Sequence, residues 1–292
     1  MASVLTLIAK PLTDDHVRTA CAAAGTTAAP DWLADAEACD LRVADGTDHA
    51  ARVRAALDGE PVDLLQQPET PSRRRRLLLA DMDSTIITVE CIDEMADVLG
   101  LKPQIAAITE RAMRGELDFA AALRERAGML AGLPREALEQ VYAERIRLTP
   151  GARTLVMTMR ANGAYTALVS GGFRFFTGRV RAAAGFDHDR ANDLVWANDR
   201  LTGTVQEPIL GAQAKLAALR ELTQGRQLRP METMAVGDGA NDLPMLQAAG
   251  LGVAYHAKPM VARDAAARID HNDLTALLYL QGYRREDFRD DA

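Results

Sequence analysis

Asp81-Met82-Asp83-Ser84-Thr85 follows directly on the run Arg76-Leu77-Leu78-Leu79-Ala80. An apolar Leu-rich run that turns polar at its end reads as a buried parallel strand, and open α/β sheets bind ligands just beyond such carboxyl ends. Side chains alternate along a strand, so Asp81 and Asp83 are expected to point the same way. One carboxylate could attack an electrophile while the other shuttles a proton. Spacing alone does not make this a site. Asp187-His188-Asp189 has the same spacing, but it follows Ala-Ala-Ala-Gly-Phe and reads as a solvated loop.

A second cluster, Gly237-Asp238-Gly239-Ala240-Asn241-Asp242, stands between Thr233-Met234-Ala235-Val236 and Leu243-Pro244-Met245-Leu246. This is again strand, sharp turn, helix, with Asp238, Asn241 and Asp242 projecting from the turn and the first helical residues. A capped helix start would explain one of these side chains, not all three. A third strand, Tyr165 to Val169, runs into Ser170-Gly171-Gly172-Phe173, a small Gly-rich turn whose hydroxyl and N–H groups suit an anion. Three strand ends thus offer a carboxylate pair, an anion nest and an acidic turn. The best cation for a phosphate is Lys215, in an Ala/Leu-rich helical stretch where residue chemistry alone favours an ordinary surface lysine. The residues therefore reach phosphate chemistry without fixing its lysine.

In order and approximate spacing, Asp81-Met-Asp-Ser-Thr, Ser170-Gly-Gly-Phe, Lys215 and Gly237-Asp-Gly-Ala-Asn-Asp resemble the motifs of the haloacid dehalogenase superfamily, most closely its phosphoserine phosphatase branch. The resemblance runs from about Arg73 to the C-terminus. It implies that Asp81 is a nucleophile forming an aspartyl-phosphate and that Asp83 is the acid and then the base. Ser170, Gly171 and Lys215 would hold the phosphoryl group. It further implies a Mg2+ ion bound by Asp81, the Asp83 carbonyl and Asp238, with Asn241 near the substrate and Asp242 supporting the metal set. The implied reaction is hydrolysis of O-phospho-L-serine to serine in serine biosynthesis. The alternative is hydrolysis of, or phosphotransfer from, another small phosphorylated metabolite. Within the insertion after Asp83, Glu90 matches a residue near the substrate ammonium, Arg126 one that grips its carboxylate, and Met113 and Phe119 apolar lid residues. Residue chemistry alone leaves Glu90 as a helix N-terminal charge, Arg126 as a surface partner of Glu125 or Glu116, and Met113 and Phe119 as local core.

These residues need a doubly wound parallel sheet, Rossmann-like, to bring three strand ends together. From Glu90 to Arg147 apolar residues recur at helical spacing with no strand signal, which predicts a helical insertion, and the resemblance implies that it is a cap over about 89–148 within a core of 73–292. A phospho-accepting signalling domain also presents strand-end aspartates and a lysine, but needs neither a helical cap nor an acid two residues after the nucleophile. Asp193 to Ala197 and Leu201 to Val205 suggest a hairpin beside the core. Upstream, strands at 3–9, 38–44 and 62–66 alternate with helices at 13–24 and 48–58, and Gln67-Pro68-Glu69-Thr70-Pro71-Ser72 reads as a linker. Residues 1–72 then form a small α/β domain similar in pattern to ACT modules, a place for an amino-acid effector.

With 292 residues, 48% of them hydrophobic, the chain can bury a sizeable core. A net charge of −7 argues against nucleic acid and requires any positive charge at an anion site to be local. Arg73-Arg74-Arg75-Arg76 lacks interleaved aromatics and reads as a solvated boundary. No stretch is long and apolar enough for a membrane span and no leader pattern opens the chain, so a cytoplasmic protein is expected, monomer or homodimer. Three scattered cysteines favour neither a disulfide framework nor a zinc cluster.

Overall fold

The structure, a computed structural model, describes residues 3–70, 73–113 and 117–290. The chain opens with β1 (Ser3–Ile8), α1 (Asp14–Ala24), β2 (Asp31–Ala34), β3 (Ala38–Val43), α2 (His49–Ala56) and β4 (Asp63–Pro68). The sheet order β2-β3-β1-β4 is antiparallel throughout, the split βαβ topology. Strand β2 goes unread in the sequence because four residues, Asp31-Trp32-Leu33-Ala34, are too few to display an alternation. Gln67 and Pro68, read as linker, are the last residues of β4. Every residue of β1 is buried because both faces of the sheet are covered. Leu5, Leu7, Cys39 and Leu41 pack into a core with Val17, Ala20 and Val53 of α1 and α2, whereas Ile8, Leu33, Ala34 and Ala38 join the main core of the molecule.

That main core surrounds a six-stranded parallel sheet. Its elements in chain order are β5 (Leu77–Ala80), α3 (Cys91–Val98), α4 (Lys102–Met113), α5 (Phe119–Met129), α6 (Arg135–Arg145), α7 (Ala152–Ala161), β6 (Tyr165–Phe173), α8 (Arg174–Ala184) and β7 (His188–Asn192). They continue as β8 (Leu194–Ala197), β9 (Arg200–Val205), α9 (Ala212–Gly225), β10 (Thr233–Gly237), α10 (Leu243–Ala248), β11 (Leu251–Tyr255), α11 (Pro259–Asp264), β12 (Ala267–Ile269) and α12 (Ala276–Leu280). The order β12-β11-β10-β5-β6-β7 reverses direction between β5 and β10, the switch point where open α/β sheets form a crevice. Leu78 and Ala80 of β5 face one helical layer with Leu155, Val156 and Leu277, while Leu77 and Leu79 face the other with Ala218, Leu219 and Met245. Burial on both faces is why β5 is an unbroken apolar run.

Helices α3–α6 rise from a narrow neck in which Ile87 pairs antiparallel with Leu148. The β8–β9 hairpin, expected beside the core, instead docks on these helices. Gly132 donates to Leu201 O (2.8 Å), Leu201 to Leu133 O (2.9 Å) and Arg135 to Asp199 O (2.9 Å). Two further readings are corrected. Asp187 and Asp189 are not a solvated loop: Asp187 accepts from Thr166 N (2.9 Å) and pairs with Arg160, and Asp189 accepts from Thr177 Oγ1 (2.8 Å) and pairs with Arg181. Nor is the arginine run a solvated boundary throughout. Arg73 is buried against Asp40, with 12% and 8% of their side chains exposed. Its isolated-cation signature is lost because the partner is far away in sequence.

Candidate active site

Asp81 and Asp83 owe their placement to a turn rather than to strand alternation. β5 stops at Ala80, and the chain winds through Met82–Ile86 with Ser84 at φ 54°. Asp81 Oδ1 accepts from Met82 N (2.7 Å) and pairs with Lys215 Nζ (2.7 Å). Both partners fall on one oxygen, so Oδ2 has none among the described residues. Asp83 Oδ1 accepts from Cys91 N (2.9 Å), the first N–H of α3, and Oδ2 accepts from Ser170 Oγ (3.1 Å). A helix N-terminus and a hydroxyl thus hold the second carboxylate.

β6 does not end in a Gly turn: it continues through Ser170, Gly171 and Gly172 to Phe173. The two glycines are needed for close approach. A Cβ on Gly172 would lie 2.7 Å from Asp83 Oδ2, and one on Gly171 would lie 2.9 Å from Phe119 Cζ. Ser170 is buried and its Oγ also accepts from Gly172 N (2.8 Å).

Lys215 is no surface lysine. It projects from α9, fully buried, between Asp81 Oδ1 (2.7 Å) and Asp242 Oδ1 (2.6 Å). Burial alone would depress its pKa, but the two carboxylates outweigh that and hold it above the ordinary lysine value. Past β10, Asp242 Oδ2 accepts from Gly239 N (3.1 Å) and Asp238 Oδ1 from Thr85 Oγ1 (3.3 Å). Asn241 Oδ1 lies 2.4 Å from where a Gly239 Cβ would be, so its amide folds back over the turn.

Oxygens of Asp81, Asp238 and Asp242 gather within 4.8 Å of one another. Burial, then Asp242, pushes the Asp238 pKa up to about 6, and the same two causes raise Asp81 against the opposing charge of Lys215. These three carboxylates outnumber the opposing charges of Lys215 and Lys258, which leaves excess negative charge, and all the donors are hard oxygens. The residues present therefore fit a divalent cation such as Mg2+. Burial also raises the Asp83 pKa, opposed chiefly by Cys91, which favours a carboxyl that can carry a proton.

The cap supplies one wall. The Phe119 ring, at the start of α5, lies over Gly171 and over Gly211, whose Cβ would be 3.1 Å from Phe119 Cδ1. Arg126 does not pair with Glu125, which instead meets Arg111 (3.3 Å). The Arg126 guanidinium donates to Ala122 O and Thr109 Oγ1 (both 3.3 Å) and makes no ion pair among the described residues. Burial lowers its pKa while Asp93, Glu90 and Asp83 oppose that, so it faces the acidic site. Glu90 reaches water at the rim and accepts from Ser84 Oγ (2.6 Å); the protein packed round its carboxyl and then Asp83 push it up to about 7. Met113 closes α4, and its side chain lies outside the described residues. Sequence reasoning missed the Cys91 N–H, Thr85 and Asn192. The first is a backbone group, Thr85 closes the Asp81–Thr85 motif with no role read for it, and no pattern marks Asn192.

The family model for haloacid dehalogenase-like hydrolases matches residues 78–247. A phosphoserine phosphatase of Archaeoglobus fulgidus is 40% identical over 239 residues, 82% of this chain and 69% of that protein. A haloacid dehalogenase family hydrolase from Salmonella enterica serovar Typhi superposes with a TM-score of 0.87 at 32% identity, covering 96% of this chain and 98% of its own. A phosphoserine phosphatase described as a phospho-aspartyl intermediate analogue superposes with a TM-score of 0.66 at 36% identity, over 70% of this chain and 98% of its own.

Proposed function

Because the chain belongs to the haloacid dehalogenase-like hydrolases, as a phosphatase, we propose that it hydrolyses O-phospho-L-serine through an aspartyl-phosphate on Asp81. The observation that carries the reading is the pairing of a buried, one-sidedly satisfied Asp81 carboxylate with Asp83, held by Ser170 and Cys91. Asp81 Oδ2 attacks phosphorus as the ester P–O bond breaks, and Asp83 gives its proton to the departing serine oxygen. Asp83 then takes a proton from water, whose oxygen attacks the same phosphorus. The acyl-phosphate bond breaks, phosphate leaves and the Asp81 carboxylate returns. Ser170, the Gly171 N–H and Lys215 hold the phosphoryl oxygens, with charge stabilisation concentrated at Lys215. Asp81, the Asp83 carbonyl and Asp238 would hold a Mg2+ ion, with Asp242 as support. When bound, Mg2+ offsets the repulsion between an anionic nucleophile and an anionic phosphate.

Arg126 recognises the substrate carboxylate and Glu90 the ammonium, with Asn241 lining the site and Phe119 and Met113 as apolar lid residues. The half-buried guanidinium of Arg126, which makes no ion pair among the described residues, supports this reading. Residues 1–72 carry the ACT-like pattern and offer a place for an amino-acid effector, on a unit that shares its apolar cluster with the core. No helix among the described residues is long and apolar enough to cross a membrane.

The test is phosphate release from a panel of amino-acid and sugar phosphomonoesters with Mg2+, on the wild type and on Asp81→Asn. Phosphoserine is expected to be the preferred substrate, and Asp81→Asn to lose both turnover and acid-stable phosphoenzyme. Wild-type turnover in that variant would remove the covalent mechanism, and a flat panel would remove phosphoserine.

A further inference from the structure

Asn192, the last residue of β7, is 3% exposed, and no sequence motif marks it. Its Nδ2 donates to Gly171 O (2.8 Å) and to Leu210 O (3.1 Å), and its Oδ1 accepts from Leu210 N (2.7 Å). Two carbonyl oxygens face the amide nitrogen and one N–H faces the amide oxygen, so only a carboxamide in this orientation satisfies all three. The side chain stands where a strand partner would. It joins the end of β6, which carries Ser170, to the segment whose next residue, Gly211, caps α9 and accepts from Lys215 N (3.2 Å).

The bond to Gly171 O reaches further. That carbonyl belongs to the peptide unit whose other end is the Gly172 N–H, donated to Ser170 Oγ (2.8 Å). With a lone pair of Oγ so engaged, the Ser170 hydroxyl proton is directed at Asp83 Oδ2 (3.1 Å). The order is therefore Asn192 amide, Gly171–Gly172 peptide, Ser170 hydroxyl, Asp83 carboxyl, and a planar peptide transmits orientation from one end to the other. The site tolerates little slack, because a mere Cβ at Gly172 would come 2.7 Å from Asp83 Oδ2.

We propose that Asn192 is a positioning residue: by fixing the Gly171–Gly172 peptide it sets the direction of the Ser170 hydroxyl, and through it the proton-bearing carboxyl of Asp83. The inference rests on the role of Asp83 proposed above. Asn192 itself touches neither phosphate nor leaving group.

The test compares Asn192→Asp and Asn192→Ala with the wild type on phosphoserine and on p-nitrophenyl phosphate, each also in a Ser170→Ala background. The aspartate keeps the volume and the acceptor for Leu210 N but loses both donors, and it stands in if the alanine variant fails to fold. A loss of roughly 10–100-fold in kcat is expected with phosphoserine, the range for outer partners of catalytic groups. The aryl ester, whose leaving group needs no proton, should lose several-fold less. In the Ser170→Ala background the same change should cost about fivefold less or better, since both substitutions act on one chain of bonds. Equal losses for the two esters, or losses that multiply in full with Ser170→Ala, would overturn the proposal and leave Asn192 as a fold residue. If the wild type prefers another alkyl phosphate, the phosphoserine reading fails and the alkyl–aryl contrast is run with that ester. A wild type inactive on every phosphomonoester overturns both.

Discussion

At the scale of single residues, the site is a matter of which oxygen is left without a partner among the described residues. Asp81 Oδ1 is occupied by Lys215 and Met82 N, and Asp242 by Lys215 and Gly239 N, so the carboxylates of Asp81, Asp83, Asp238 and Asp242 outnumber the Lys215 and Lys258 charges that oppose them. Chelation is expected to abolish turnover and added Mg2+ to restore it. Ca2+ should not, since its larger, bidentate coordination would take up the free Asp81 oxygen. Activity that persists in excess chelator would contradict this, read as initial rate of phosphate release. Gly172 gives a sharper residue-scale prediction. An added methyl would meet Asp83 Oδ2 at 2.7 Å and Ser170 Oγ at 3.0 Å, both short of ordinary contact. Gly172→Ala should therefore lower kcat at least about 10²-fold, the penalty of a misplacement near 1 Å, while the far-ultraviolet circular dichroism stays native. A fully active variant would mean that Asp83 has room to move and is not held as described.

At the scale of elements, the cap tests substrate identity. α5 carries both Phe119, pressed on Gly171 and Gly211, and Arg126, whose guanidinium faces the acidic site without an ion pair among the described residues. Arg126→Ala should cost roughly 2–5 kcal/mol of kcat/KM toward phosphoserine, the range for losing one partner of a buried charge pair, and far less toward an aryl phosphate with no carboxylate. Equal losses for both esters would assign Arg126 to cap closure instead. How much of this was legible follows from where each signal lives. β5, β6 and β10 were readable because each is a buried apolar run ending in polar residues, and their motifs sit at the ends. Lys215 was not readable from its helix, since a solvated lysine and one between two aspartates have the same neighbours in sequence. Asn192 and Cys91 N–H were invisible because their partners lie 18 to 21 and 8 residues away. The hairpin was legible as β8–β9, but not its docking on the cap, which depends on backbone groups of Gly132 and Leu133 that every sequence possesses.

At the scale of the whole molecule, the N-terminal unit is joined to the core by groups that neither could bury alone. Arg73 donates to both oxygens of Asp40 (2.5 and 2.8 Å), to Thr6 Oγ1 (2.8 Å) and to the carbonyls of Leu280 (3.0 Å) and Tyr279 (3.2 Å). Asp63 accepts the N–H groups of Asp270, His271 and Asn272 together with the Asn272 side chain. Ile8, Leu33 and Ala38 share one apolar cluster with Leu277 and Tyr279 of α12. A chain starting near Ser72 would lose every one of these partners that lies before it. None of the site contacts described above involves a residue before Ser72, so such a chain should keep its kcat/KM, but it should lose solubility and Tm by exposing α12. Arg73→Ala tests the joint without exposing that apolar surface. It strands Asp40 in a buried place, which typically costs about 3–5 kcal/mol. The expected outcome is a single unfolding transition, since one apolar cluster spans both units, shifted to lower temperature with kcat/KM unchanged. Removing Asp40 as well should recover part of the loss, because the uncompensated charge goes with it. Two separated transitions in the wild type, or an unshifted Tm in Arg73→Ala, would mean that the units are tethered rather than fused, and that the buried pair records their proximity without holding them together.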